Sequence, residues 1–218
     1  MRDYQACFIR EAIRCNALSF GEFTLKSGRI SPYFFNAGNF CSGETMSIIG
    51  RCYAEAIIES GLDFDMLFGP AYKGIPLAAS AAIALNDVCQ TKTPFCFNRK
   101  EGKTHGEGGV LAGSPLQGTV VIIDDVMTAG IATSQAIEMI SRHSDAIVAG
   151  VIIGLDRKES IVKDKPAREF IEQAHGIPVL NIIDIDDILD FIRSSSDMSN
   201  FIEPIIKYRE VFGIKEEK

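Results

Sequence analysis

Apolar positions recur along this chain in blocks that alternate between helical and strand spacing. Tyr4, Phe8, Ile9, Ala12 and Ile13 fall on one helical face, so the chain opens with an amphipathic helix. Ile48, Ile49, Cys52, Tyr53, Ala56 and Ile57 mark a second helix, with Gly61 placed to cap its C-terminus. FDMLFGP then reads as a short buried strand ended by Gly-Pro, and the Ala-rich KGIPLAASAAIALND as a close-packing helix. PFCFN and the β-branched TVVIID are further strands. A helix near Ala132 to Ser141 leads to the strand AIVAGVIIGL, and IPVLNII is another. Segments carrying Ile188, Leu189 and Ile192, then Phe201, Ile205 and Ile206, read as helices.

Continuously apolar strands alternating with helices predict an α/β fold, with a mostly parallel central sheet flanked by helices on both faces. Ligands of such sheets bind at the carboxyl ends of strands. That rule directs attention to Phe68-Gly69, Asn98-Arg99 and Asp124-Asp125. One segment breaks the pattern. RKEGKTHGEGGVLAGSPLQG, residues 99–118, holds six glycines and no periodicity between two strands, which predicts a mobile, functional loop. No repeat or linker divides the chain, so a single domain over 1–218 is expected.

Composition narrows the partners more than the fold. With 22 Lys+Arg against 29 Asp+Glu the net charge is −7, which argues against a general binder of nucleic acid or of an anionic membrane. A locally basic pocket stays compatible with it. Cys7, Cys15, Cys41, Cys52, Cys89 and Cys96 contain no C-x-x-C pair, so they are expected to be free thiols in a reducing compartment. The N-terminus MRDYQACFIREAIR is charged and amphipathic, unlike a signal peptide, and no apolar run approaches the ~18 residues of a membrane span. A soluble cytoplasmic protein is the expectation.

Three places carry candidate chemistry. Arg99, Lys100 and Lys103, with His105 nearby, form a basic cluster on the glycine-rich loop, able to fold over a polyanion and exclude water. Taken alone, the same run reads equally well as a solvated charged loop. In VVIIDDVMTAG a buried strand drives to Asp124 and Asp125, and the turn Val126-Met127-Thr128-Ala129-Gly130 leads into a helix. Backbone N–H groups there, with Thr128 and Thr133 as hydroxyl donors, suit a phosphate. Paired carboxylates beside it suit ribose hydroxyls or a magnesium-ligated sugar, although one Asp could simply cap the helix. In FGPAYKGIPLA, Tyr72 and Lys73 project from a Gly69-Pro70 turn, with Lys73 placed for a phosphate. Rival motifs fail: Gly113 and Gly118 have P-loop spacing, but Thr119-Val120 stand where Lys-Ser/Thr belongs, and Leu111 spoils a G-x-G-x-x-G. His143 and His175 sit alone on helical segments and read as structural.

The four-apolar strand, paired acid and Thr-x-Gly turn together resemble the type I phosphoribosyltransferases. FGEFTLKSGRISPYFFNAG, FGPAYKGIPLA, FNRKEGKTHGEGG and LDRKE resemble the orotate branch of that family, in the same order from Tyr4 to Gly213. The resemblance implies a small N-terminal hood over about residues 1–40 and a flexible catalytic loop over about 99–118. It implies transfer of the 5-phosphoribosyl group of 5-phospho-α-D-ribose 1-diphosphate (PRPP) to orotate, giving orotidine 5′-monophosphate and diphosphate in pyrimidine biosynthesis. Mg2+ would be the cofactor, held through the PRPP diphosphate and ribose hydroxyls with no direct protein ligand.

By the same resemblance, Asp124 to Ala132, including Gly130 and Ile131, would hold the 5′-phosphate and ribose. Lys26, Tyr72 and Lys73 would line the PRPP and diphosphate site, while Arg99, Lys100, Lys103 and His105 would close over the partner subunit's site in a homodimer. Lys26, Lys103, Asp124 and Asp125 would form the catalytic set. Phe34 and Phe35 would lie along the orotate ring, with Thr128 and Arg157 at its polar edge and carboxylate. Ile131 departs from the hydroxyl residue many relatives carry after Gly130, leaving backbone N–H groups to do that work. A purine transferase fits the basic loop and Arg157 less well. A non-catalytic PRPP-binding regulator should lack Lys100, Lys103 and His105, all of which are present.

Overall fold

The computed structural model describes residues 1–25, 27–103, 109–127, 130–162 and 165–214. In chain order the elements are α1 (Asp3–Arg14), β1 (Leu18–Thr24), β2 (Ile30–Phe35), α2 (Gly43–Ser60), β3 (Met66–Gly69) and α3 (Gly74–Cys89). Then come β4 (Phe95–Lys103), β5 (Gly109–Gly113), β6 (Thr119–Met127), α4 (Ile131–His143) and β7 (Ile147–Asp156). The chain continues through β8 (Ser160–Val162), β9 (Lys165–Pro166), α5 (Ala167–His175), β10 (Val179–Asp184), α6 (Ile185–Arg193) and α7 (Ile202–Phe212).

The central sheet has six strands in the order β10-β7-β6-β3-β4-β5. All neighbours pair in parallel except β5, which returns antiparallel along β4 at one edge. Alternation of side chains along each strand sorts the apolar residues onto two faces. Leu67, Val121, Ile123 and Ile152 face the larger core, made with α1, α2, α3, α6 and α7. Met66, Phe68, Val120, Ile122, Val151 and Ile153 face the second core, closed by α4 and α5. Burial on both faces is why these strands read as unbroken apolar runs.

Two expectations change. The segment 99–118 is not one long irregular loop: β4 runs on through Lys103, and β5 pairs back on it with Lys103 opposite Gly109 and Asn98 opposite Leu111. Leu111 packs against the second core, and that apolar anchor holds the returning strand. Residues 104–108 lie outside the described part. Likewise β6 does not end at the aspartate pair but continues to Met127, with Val126 opposite Leu155 and Met127 opposite Asp156.

The N-terminal hood is a two-stranded antiparallel hairpin of β1 and β2, a pairing that periodicity did not reveal. It leans on the C-terminal helices through aromatic contacts: the Phe20 ring stacks on Phe201 with centroids 5.2 Å apart, and Tyr33 meets Tyr208 edge-on at 6.3 Å. All six cysteines are free, Cys52 and Cys96 buried but Cys41 and Cys89 exposed. Among the described residues no helix is long and apolar enough to cross a membrane.

Candidate active site

The ends of β3, β4 and β6 meet at one rim of the sheet, as the parallel order requires. Gly69 and Gly74 bracket the turn between β3 and α3 because nothing larger fits. A Cβ on Gly69 would collide with the Gly74 carbonyl, and one on Gly74 would come within 2.7 Å of the Ile123 carbonyl oxygen in β6. The turn is thereby pressed against the strand that carries the aspartates. Its Ala71–Tyr72 peptide is cis. The Ala71 N–H donates to Asn98 Oδ1 at 2.7 Å, tying the turn to β4 where that strand outruns β3. From the same stretch of β4 the Lys100 ammonium lies over the Tyr72 ring, 4.5 Å from its centroid. Such a contact leaves the cation exposed to a ligand while limiting where it can go.

Lys73 reaches across to β6, where its Nζ donates to Asp125 Oδ2 at 2.8 Å. Asp125 is buried, so the lysine answers a charge that would otherwise be costly. Asp124 fares differently. Burial, and then the adjacent charge of Asp125, push its carboxyl up to about 7. Its Oδ1 accepts the Asp125 N–H at 2.9 Å, and its backbone carbonyl accepts the Tyr53 hydroxyl of α2 at 2.7 Å. The aspartate pair is therefore held rigidly from both strand and helix.

Beyond it, Gly130 turns the chain at φ +69° into α4, whose first turn has no side-chain cap. Uncapped N–H groups at a helix start are anion donors. Ile131 and Ala132 are exposed there, whereas Thr133, expected as a hydroxyl donor, is buried in the helix. Val126 and Met127 belong to the sheet ladder, with Met127 buried in the second core, so they do not contribute to the turn.

A second cluster lies where β7 ends under the hood. Arg157 is 7% exposed, its guanidinium stacked on the Tyr33 ring at 4.2 Å. Its Nε donates to Glu159 Oε1 at 2.7 Å and its Nη2 to Ser31 Oγ at 3.0 Å. Phe34 and Phe35 do not share a face. Phe35 is buried in the core against Phe8 and Phe40, while Phe34 projects outward and stacks on Phe23. Strand alternation explains the split. The pairing of both rings along one ligand is corrected accordingly: the Phe35 ring is core, and Arg157 sits on the Ser31–Tyr33 face opposite Phe34.

Lys26, His105, Thr128, Ala129 and the side chain of Lys103 lie outside the described residues. Arg99 lies in β4 with its Nη1 donating to the Gly109 carbonyl at 3.4 Å, on the edge hairpin. Reading the sequence alone pointed to Asn98 at a strand end without giving it a role, and missed Tyr53, Ser31, Tyr33, Glu159 and Tyr208. Of the missed residues only Glu159 carried a signal, two residues past Arg157 in LDRKE. No three His, Cys, Asp or Glu side chains converge among the described residues in a way that could cage a metal. A hard divalent cation here would have to complete its oxygen shell from a bound ligand and water, with Asp124 and Asp125 nearby.

The phosphoribosyl transferase domain family matches residues 38–190. The chain is 49% identical over 214 residues to the orotate phosphoribosyltransferase of Pectobacterium carotovorum, covering 98% of this chain and all of that one. The Salmonella agona enzyme of the same name shows the same identity and coverage. Among solved structures, Francisella tularensis orotate phosphoribosyltransferase superposes with a TM-score of 0.83 at 40% identity, covering 94% of this chain and 98% of that one.

Proposed function

The chain belongs to the phosphoribosyltransferase family, in its orotate branch, and from that membership we infer how its crevice carries out the reaction. It transfers the 5-phosphoribosyl group of PRPP to orotate, releasing diphosphate and forming orotidine 5′-monophosphate in pyrimidine biosynthesis. The observation that carries the residue assignment is the convergence of Tyr72-Lys73, Asn98-Lys100 and Asp124-Asp125 on one sheet rim, bound together by the Lys73–Asp125 pair.

PRPP would lie along that rim. The 5′-phosphate would meet the uncapped start of α4 at Gly130, Ile131 and Ala132, with Thr128 and Ala129 in the turn before it. The ribose hydroxyls would donate to Asp124 and Asp125. The diphosphate would meet Lys73, Tyr72, Lys100 and Arg99, so Lys73 exchanges its carboxylate partner for a phosphate. Breaking the anomeric bond develops positive charge on the ribose and negative charge on the leaving diphosphate. Fixed carboxylates and cations placed at those two centres stabilise what the transition state creates. Lys26, Lys103 and His105 would add to the cationic set, and closure over the crevice would exclude water from the activated sugar. Mg2+ would supply further neutralisation of the leaving group.

Orotate would enter beneath the hood, with Arg157 facing its carboxylate. A planar guanidinium matches a carboxylate with parallel donors. We further infer a homodimer in which the basic loop of one subunit serves the other's site, working in the cytoplasm, where free cysteines such as exposed Cys41 and Cys89 stay reduced.

The test follows orotate loss at fixed PRPP, with and without Mg2+, beside tubes holding adenine, hypoxanthine or uracil. Consumption of orotate alone, requiring both PRPP and metal, is expected. Turnover of a purine instead would overturn the placing of orotate against Arg157. PRPP binding with no base consumed would leave a regulator.

A further inference from the structure

Arg157 is more tightly held than a ligand-binding arginine needs to be merely to stay folded. Its Nε–H and Nη2–H, the side edge of the guanidinium fork, are taken by Glu159 and Ser31, and its face rests on Tyr33. Glu159 is itself anchored from two other elements. Its Oε1 also accepts the Tyr208 hydroxyl of α7 at 3.0 Å, and its Oε2 pairs with Arg29 of the hood at 3.5 Å. Its backbone forms an isolated bridge to Gly213, just past α7.

The residue between Arg157 and Glu159 in the turn is pinned as well. Lys158 Nζ reaches Asp184 at 2.7 Å and Asp186 at 2.8 Å, and Arg209 of α7 pairs with the same Asp186. Tyr33, whose ring supports the guanidinium, has a buried hydroxyl with no hydrogen-bond partner among the described residues. A buried polar group left unanswered calls for a functional explanation. An arginine free to rotate would lose conformational entropy on binding a carboxylate, whereas one fixed beforehand does not.

Resting on the assignment of Arg157 to orotate, we propose that Glu159 is a positioning residue. Held by Tyr208 and Arg29, it fixes the Arg157 guanidinium in the orientation that selects a carboxylate-bearing pyrimidine, and so couples helix α7 to base recognition. Glu159 touches no substrate. It acts by occupying one edge of the guanidinium fork and so fixing how the group is turned.

The experiment measures initial rates against orotate at saturating PRPP, and against PRPP at saturating orotate, with a thermal midpoint for each variant. Glu159→Gln keeps the shape but weakens the ion pair, and Tyr208→Phe removes one hydroxyl. Expected are an orotate KM raised about tenfold for Glu159→Gln and roughly threefold for Tyr208→Phe, with the PRPP KM unchanged. In the double variant with Arg157→Lys, Glu159→Gln should add nothing further, because it acts only through the arginine. Should Arg157→Lys raise the orotate KM while neither other variant does, the positioning role is overturned and the arginine's role survives. Should Arg157→Lys itself leave that KM unchanged, the arginine assignment falls and takes the positioning role with it. If Glu159→Gln does not fold, Tyr208→Phe decides alone.

Discussion

Asp124 shows how one residue can oppose folding in order to serve a site. Burial and the neighbouring Asp125 charge lift its carboxyl to about 7, far above an unfolded aspartate. The folded state therefore binds this proton more tightly than the unfolded chain does. Stability attached to it is present at low pH and is lost as pH rises from the unfolded value toward about 7. Asp124→Asn removes the ionisable group yet keeps an oxygen for the Asp125 N–H. The variant should be more stable than the parent at pH 8, by on the order of 1 kcal/mol or roughly 2–4 °C in Tm, with the gain shrinking toward pH 5. Its turnover should drop at the same time, since an amide is a poorer acceptor for ribose hydroxyls. Thermal melts across pH, run beside rate assays, check both halves. A variant destabilised at pH 8 would refute this account of the carboxyl.

Elements set what those residues can reach. The turn from β3 into α3 works because Gly69 and Gly74 let it lie directly on β6. Gly74→Ala would place a methyl group 2.7 Å from the Ile123 carbonyl oxygen, next to Asp124. Either the helix start or the strand must move. A loss of about 1–3 kcal/mol in stability is expected. Because Lys73 immediately precedes the displaced glycine, weaker PRPP binding by calorimetry should accompany the loss. An unperturbed PRPP affinity would separate the glycine from the site. The β4–β5 hairpin gives the opposite lesson. Glycine-rich and aperiodic, it read as loop, yet Leu111 has a core to pack on and the main chain of β4 offers an unpaired edge. Edge pairing of this kind depends on a neighbour that local sequence does not report.

At the scale of the whole molecule, the proposed sharing of the basic loop between subunits makes a quantitative claim. Lys73→Ala and Lys103→Ala proteins, each nearly inactive, should regain activity when mixed and allowed to exchange subunits. Each mixed dimer would hold one site with both changes and one with neither, so about a quarter of parental activity should return. No recovery would place Lys103 in its own subunit's site. The alternation of apolar strands and helices was enough to establish the parallel α/β layering, because burial on both faces demands unbroken apolar runs. The positions of Asp124-Asp125 near the end of β6 and of Tyr72-Lys73 just past β3 were legible for a related reason: local order there already says which way the chain points. The hood was not. Its strands are short, and Ser31 and Tyr33 are buried because α7 and the end of β7 close over one face of β2, where Phe35 packs against Phe8 and Phe40. Strand alternation set Phe34 and Phe35 on opposite faces, and packing against Phe8 and Phe40 made Phe35 the buried one. The closure brought Ser31, Arg157 and Tyr208, far apart in the chain, into one clamp. Such contacts draw their energy from surfaces that meet only once the chain has folded, so no spacing along the sequence could announce them.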